Sequence, residues 1–239
     1  MSSRRGGRRL AALVVPALVF LALVATGLTG CVAASPSDYR LPFSGSFPVL
    51  QGPYRVSANG DCASGCATHS AAAMRFALDF ALPDGTEVLA ARAGRVALVQ
   101  GSWPADHCGR LAGQDPSAGD EVAGATLGNE ANFVEIDHGD GTAALYLHLS
   151  AVDPAIEAKA RTNGEVARGE VLGLSGRTGW TRCEPHLHFQ VQPMVKADWF
   201  TDSVPVALGD PDVVDRTADG VPVEGESYSS ENTRVSAAG

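Results

Sequence analysis

Apolar residues along this chain recur in short runs, not at a helical period. Phe76-Ala77-Leu78-Asp79-Phe80, Glu87 to Ala90, Gly94 to Val99, Phe133 to Ile136, Ala143 to Leu149, Gly169 to Leu174 and His186 to Val191 are β-rich and bounded by turn signals. His138-Gly139-Asp140-Gly141, set between two of these runs, marks a hairpin. One short helix is expected over residues 154–162. The pattern predicts a mainly β fold. Short strands joined by turns, with few helices, give a core that is an antiparallel β-sheet of sandwich or barrel-sandwich type. The stretch Gly101 to Gly128 is rich in Gly, Asp and Ala and reads as a long loop. After residue 200 the chain is acidic and reads as a last strand or two followed by a frayed end.

Strand phase then sorts the polar residues. Successive side chains of a strand alternate faces. In Pro185-His186-Leu187-His188-Phe189, the two histidines share one face, their Cα atoms roughly 6.5–7 Å apart, while Leu187 and Phe189 face the core. In Leu145-Tyr146-Leu147-His148-Leu149 the leucines share one face, and Tyr146 and His148 the other. Asp79 is out of phase with Phe76, Leu78 and Phe80, and His69 lies in a Thr-His-Ser loop. Two histidines and a carboxylate suit Zn²⁺ and leave a fourth position open for water.

The first 30 residues read as an export signal: four arginines within residues 1–9, an apolar run over 10–27, then Leu28-Thr29-Gly30-Cys31. The last four resemble a bacterial lipoprotein cleavage box. That likeness implies lipidation of Cys31 and anchoring to a membrane outside the cytoplasm without a spanning helix. Residues 31–46 read as a tether, 47–205 as the functional domain and 206–239 as a C-terminal extension. The net charge is −9 over 239 residues, and without the four leading arginines it becomes −13. So acidic a body is a poor polyanion binder, which excludes nucleic acid as a natural partner.

Cys62, Cys66, Cys108 and Cys183 remain after Cys31, an even number in an exported chain. Three pairings are open. A local Cys62–Cys66 bridge is expected and would leave Cys108 with Cys183. A zinc site on the C-x-x-x-C pair is the rival reading, which an oxidising compartment disfavours.

Further motifs fall in order along the chain. His69…Asp79-Phe80 is followed by Pro83-x-Gly85-Thr86-x-Val88, Asn132-Phe133-Val134-x-Ile136-x-His138-Gly139-x-Gly141, Tyr146-x-His148-Leu149, Ser175-Gly176-x-Thr178-Gly179 and Pro185-His186-Leu187-His188-Phe189. From about residue 66 to 192 the sequence resembles the LytM/lysostaphin-type zinc metallopeptidases of bacterial cell walls. The resemblance implies a β-sheet core with a groove, zinc on its floor, and hydrolysis of peptide cross-links in peptidoglycan. It maps the ligands onto His69, Asp79 and His188, and the two non-ligand catalytic histidines onto His148 and His186. Asn132 and Tyr146 fall where substrate could be oriented. Nine residues separate His69 from Asp79, where family members often have three. The shorter spacing would select Arg75, whose guanidinium has no lone pair for zinc. A catalytically inactive binding or activator module on the same fold is the alternative function.

Overall fold

Leu187, Phe189 and Val191 alternate with His188, Gln190 and Gln192, and this two-residue period organises the structure. The computed structural model describes residues 38–110, 130–196 and 198–235. The proposed leader, Cys31 and most of the 101–128 loop lie outside them. An eight-stranded antiparallel sheet runs in the order β10-β6-β7-β8-β12-β4-β1-β13. Its strands are β1 (Gly45–Gln51), β4 (Leu78–Phe80), β6 (Gly94–Gln100), β7 (Phe133–Asp137), β8 (Thr142–Leu147), β10 (Glu165–Val166), β12 (Leu187–Pro193) and β13 (Ser227–Ser230). A three-stranded sheet has the order β5-β11-β9, from Glu87–Leu89, Val171–Ser175 and Leu149–Val152. Arg55–Val56 and Cys62–Ser64 form a small hairpin, β2 and β3. Two short α-helices, α1 (Pro154–Ala160) and α2 (Pro211–Arg216), and two 3-10 turns, Ala72–Met74 and His107–Arg110, complete the described elements. The fold is mainly antiparallel β, as its sequence pattern predicts.

One face of the large sheet supplies Leu78, Phe80, Val134, Ile136, Ala144, Tyr146, Leu187 and Phe189 to the main core. The smaller sheet contributes Val88, Leu149, Val152 and Leu172 to the same cluster, so the core lies between the two sheets. Each fully buried Leu or Phe contributes about 1.5–3 kcal/mol. The opposite face carries Asp79, Glu135, His188, Gln190 and Gln192, with a satellite apolar cluster of Phe133, Leu145 and Leu147 under Trp199 and Phe200. Both faces are therefore largely buried.

Both chain ends of the described region differ from expectation. Residues 38–46 do not behave as a tether throughout, because Leu41 and Phe43 are wholly buried in the core. The described residues 206–235 do not fray. β13 pairs with β1, Tyr228 is buried, and the buried Asp210 carboxylate accepts the backbone N–H groups of Leu41 at 2.7 Å and Glu231 at 2.8 Å. Their acidic composition hid these anchors.

Candidate metal centre

Strand pairing assembles the site. Register sets His188 on β12 opposite Asp79 on β4, and Asp79 opposite Gln51 on β1. Directly opposed residues share a face. His69 arrives from the loop after β3 and is fully buried. One donor atom from each of His69, Asp79 and His188 lies within 4.8 Å of the others, a grouping that could hold a metal ion.

Hydrogen bonds fix where the lone pairs point. His69 Nδ1–H donates to the Gly52 carbonyl at 2.7 Å, so Nε2 carries the lone pair. That Nε2 is buried without a hydrogen-bond partner and faces Asp79 Oδ2 at 3.3 Å. On His188, Nε2 meets Gln190 Oε1 at 2.9 Å. Gln190 must present oxygen there, because its Nε2 is spent on Gln192 Oε1 at 2.8 Å and the Thr201 carbonyl at 3.2 Å. His188 therefore donates from Nε2 and turns its Nδ1 lone pair toward Asp79 Oδ1, 2.9 Å away. With both imidazoles neutral, three electron-rich groups converge with no proton between them. Such a cluster calls for a cation, and its N, O, N donor set suits Zn²⁺. Burial opposes ionisation of Asp79, but where His188 and His69 carry a proton toward it they outweigh burial and hold its pKa well below the ordinary value. Burial likewise works against the charged form of His69, yet the adjacent Asp79 raises its pKa overall.

Two further histidines stand beside the cluster. The His148 ring centroid is 4.7 Å from that of His186 and 6.0 Å from that of His188. His148 Nδ1–H donates to the Thr178 carbonyl at 2.8 Å, and His186 Nδ1–H to the Glu184 carbonyl at 2.9 Å. Each thus keeps its Nε2 lone pair available. Burial, reinforced by His186 and His188, depresses the His148 pKa well below the usual value, so this ring is neutral at pH 7.

His148 reaches this face by an irregularity that strand phase does not foresee. Tyr146 belongs to the main core, packs on Phe189 at 5.3 Å between centroids, and accepts the Ala91 N–H at 2.8 Å on its hydroxyl. Leu147 points to the opposite face. Strict alternation would return His148 to the core, but its φ of 69° breaks the strand between β8 and β9 and turns the side chain over. The expectation that Tyr146 and His148 share a face is thereby corrected, and Tyr146 is a core residue.

Asn132 is also fully buried and does not line the site. Its side chain accepts the Trp103 N–H at 3.0 Å and donates to the Trp103 carbonyl at 2.9 Å. Its backbone N–H donates to Thr178 Oγ1 at 2.9 Å. It braces the start of the long loop and the Thr178 turn that holds His148. Cys62 and Cys66 form a disulfide. Cys108 and Cys183 do not, contrary to expectation. Both are free thiols, and burial together with the neighbouring Cys183 pushes Cys108 up to about 12.

Sequence reasoning did not single out Gln190, Gln192 or Glu135. Gln192 Nε2 donates to Glu135 Oε1 at 2.9 Å, extending the chain of hydrogen bonds that starts at His188. The usable signal was their phase, since both glutamines alternate in step with His188. Glu135 is fully buried with Oε2 unpartnered, and desolvation pushes its pKa up to about 7 from 4.5. Between those pH values the folded state holds a proton that the unfolded chain has lost, so this group erodes stability as pH rises from 4.5 to 7. Glu135→Gln should match the wild type in urea unfolding near pH 5 and exceed it near pH 8, by on the order of 2 kcal/mol. Equal stabilities at both pH values would contradict a protonated Glu135.

The chain belongs to peptidase family M23, whose sequence profile matches residues 73–199. His69 precedes that span. The chain is 28% identical over 166 residues to the cell division protein DipM of Caulobacter vibrioides, covering 69% of this chain and 21% of that protein. It is 32% identical over 113 residues to the peptidoglycan DD-endopeptidase ShyA of Vibrio cholerae, covering 47% and 19%. It therefore spans about a fifth of the length of these relatives. Among solved structures it is similar to a zinc-containing peptidase from Vibrio cholerae, with TM-score 0.42 and 22% identity over 72% of this chain and 40% of that one. For the lysostaphin catalytic domain of Staphylococcus simulans the figures are 0.34, 23%, 64% and 84%.

Proposed function

We propose that this protein is an exported zinc metalloendopeptidase that hydrolyses peptide cross-links of bacterial peptidoglycan, held at the membrane by lipid on Cys31. The convergence of His69, Asp79 and His188, with the orphaned His69 Nε2 aimed into the cluster, carries the reading. Membership of a peptidase family and similarity to a named peptidoglycan endopeptidase support it. Bound by these three residues, zinc would polarise a scissile carbonyl and make a water molecule acidic near neutral pH. His148, neutral and with Nε2 unprotonated, can accept a proton from the attacking water. The proton His148 takes onto Nε2 can then pass to the departing amine, and His186, partly exposed beside it, offers a second Nε2 lone pair that can orient the attacking water. Their Nδ1–H bonds to backbone carbonyls keep both rings in the tautomer this requires.

The test is metal content together with turnover. The full chain should carry about one zinc and release peptides from purified sacculi. Chelation should stop hydrolysis, and added zinc should restore it. A chain that binds sacculi and no zinc would refute the enzyme reading in favour of an inert binding module. A narrower prediction concerns Gln190. Gln190→Leu removes the acceptor that orients His188 and should weaken zinc binding by about 10–100-fold in chelator competition, whereas Gln190→Glu should bind nearly as the wild type.

A further inference from the structure

The loop that delivers His69 is held from two sides by residues lying outside the span that matches the peptidase family. Glu224 Oε2 accepts three hydrogen bonds: from Gly65 N at 2.8 Å, Gly52 N at 3.1 Å and Ser64 Oγ at 3.2 Å. The carbonyl of that same Gly52 receives His69 Nδ1–H. Glu224 is brought there by the C-terminal segment, where Gly225 N donates to the Val49 carbonyl and Val49 N to the Glu226 carbonyl, both at 2.9 Å. From the other side, Gln51 Oε1 accepts the backbone N–H groups of Ala67 and Thr68, both at 3.1 Å. Its Nε2 donates to Thr68 Oγ1 at 2.6 Å and to Asp79 Oδ2 at 3.3 Å. The Cys62–Cys66 disulfide closes the loop between these two anchors. The approach is tight: a Cβ at Gly52 would lie 2.6 Å from Ser64 Oγ. At Gly65, whose φ is +66°, it would lie 2.7 Å from Tyr54 N.

We propose that Glu224 and Gln51 are positioning residues for His69, clamping the 52–69 loop so that a ligand distant in sequence meets Asp79 and His188. This rests on reading the cluster as a zinc site. The C-terminal segment then becomes part of the metal centre, and the Gln51 amide ties Asp79 to the loop that carries His69.

The experiment is a double-mutant cycle on the full chain, read as zinc affinity by chelator competition. Glu224→Ala should weaken zinc binding by about 10–100-fold, and Glu224→Gln by less, since its amide oxygen still accepts. In a His69→Ala background, Glu224→Ala should change zinc affinity by less than about twofold, because the residue it positions is gone. If Glu224→Ala fails to fold, the same cycle with Glu224→Gln decides. Unchanged affinity in the Glu224 variants, or an equal loss with and without His69, would overturn the clamp while leaving the zinc site standing. A wild-type chain that binds no zinc would overturn both.

Discussion

Replacing either His148 or His186 by alanine should abolish measurable hydrolysis of peptidoglycan, a loss of about 10²–10⁴-fold, while zinc remains bound. Neither ring belongs to the three-donor cluster, and each spends its Nδ1–H on a backbone carbonyl. Only their Nε2 atoms are left for chemistry. Because the two rings stand 4.7 Å apart and act on one reaction, the double variant should be little worse than either single one. Metal analysis alongside peptide release checks both halves. Zinc loss in either variant would mean that ligand and proton-transfer roles have been exchanged, and full activity would remove both rings from the catalytic machinery.

The second large effect is expected at His69. His69→Ala should weaken zinc binding by more than about 100-fold, beyond the range of changes that act through a ligand's partner. Arg75→Ala, at the three-residue spacing from Asp79, should keep zinc at wild-type affinity. Arg75 stacks over the Tyr54 ring at 5.4 Å and is absent from the cluster, whereas His69 is buried within it. Titration of both apo variants with zinc distinguishes them. Tight binding by His69→Ala would show that Asp79 and His188 suffice, or that another donor completes the site.

Much of this arrangement was legible in the sequence because strand phase and motif order are local properties. The alternation around His188 put His188 and Asp79 on one face and Leu187 and Phe189 on the other, as the structure has them. Phase failed at His148, where a left-handed backbone at a residue other than glycine reverses the side chain, and no local pattern announces that. It misled at Tyr146 for the same reason. The chain His188–Gln190–Gln192–Glu135 was not legible, because alternating polar residues do not announce what covers them: Trp199 and Phe200 pack on that side and its polar groups bond one another. Glu224 was beyond reach altogether. It lies 159 residues from Gly65, and only the pairing of β13 with β1 brings the two together.

The left-handed backbone at His148 has an evolutionary corollary. An L-residue other than glycine forfeits about 1–2 kcal/mol in that conformation. Selection for proton transfer can hold histidine there; selection for folding alone favours glycine. A descendant of this chain that retained the scaffold as an adaptor would gain stability by drifting to glycine at 148, and the identity of that one position would date the loss of its hydrolytic role.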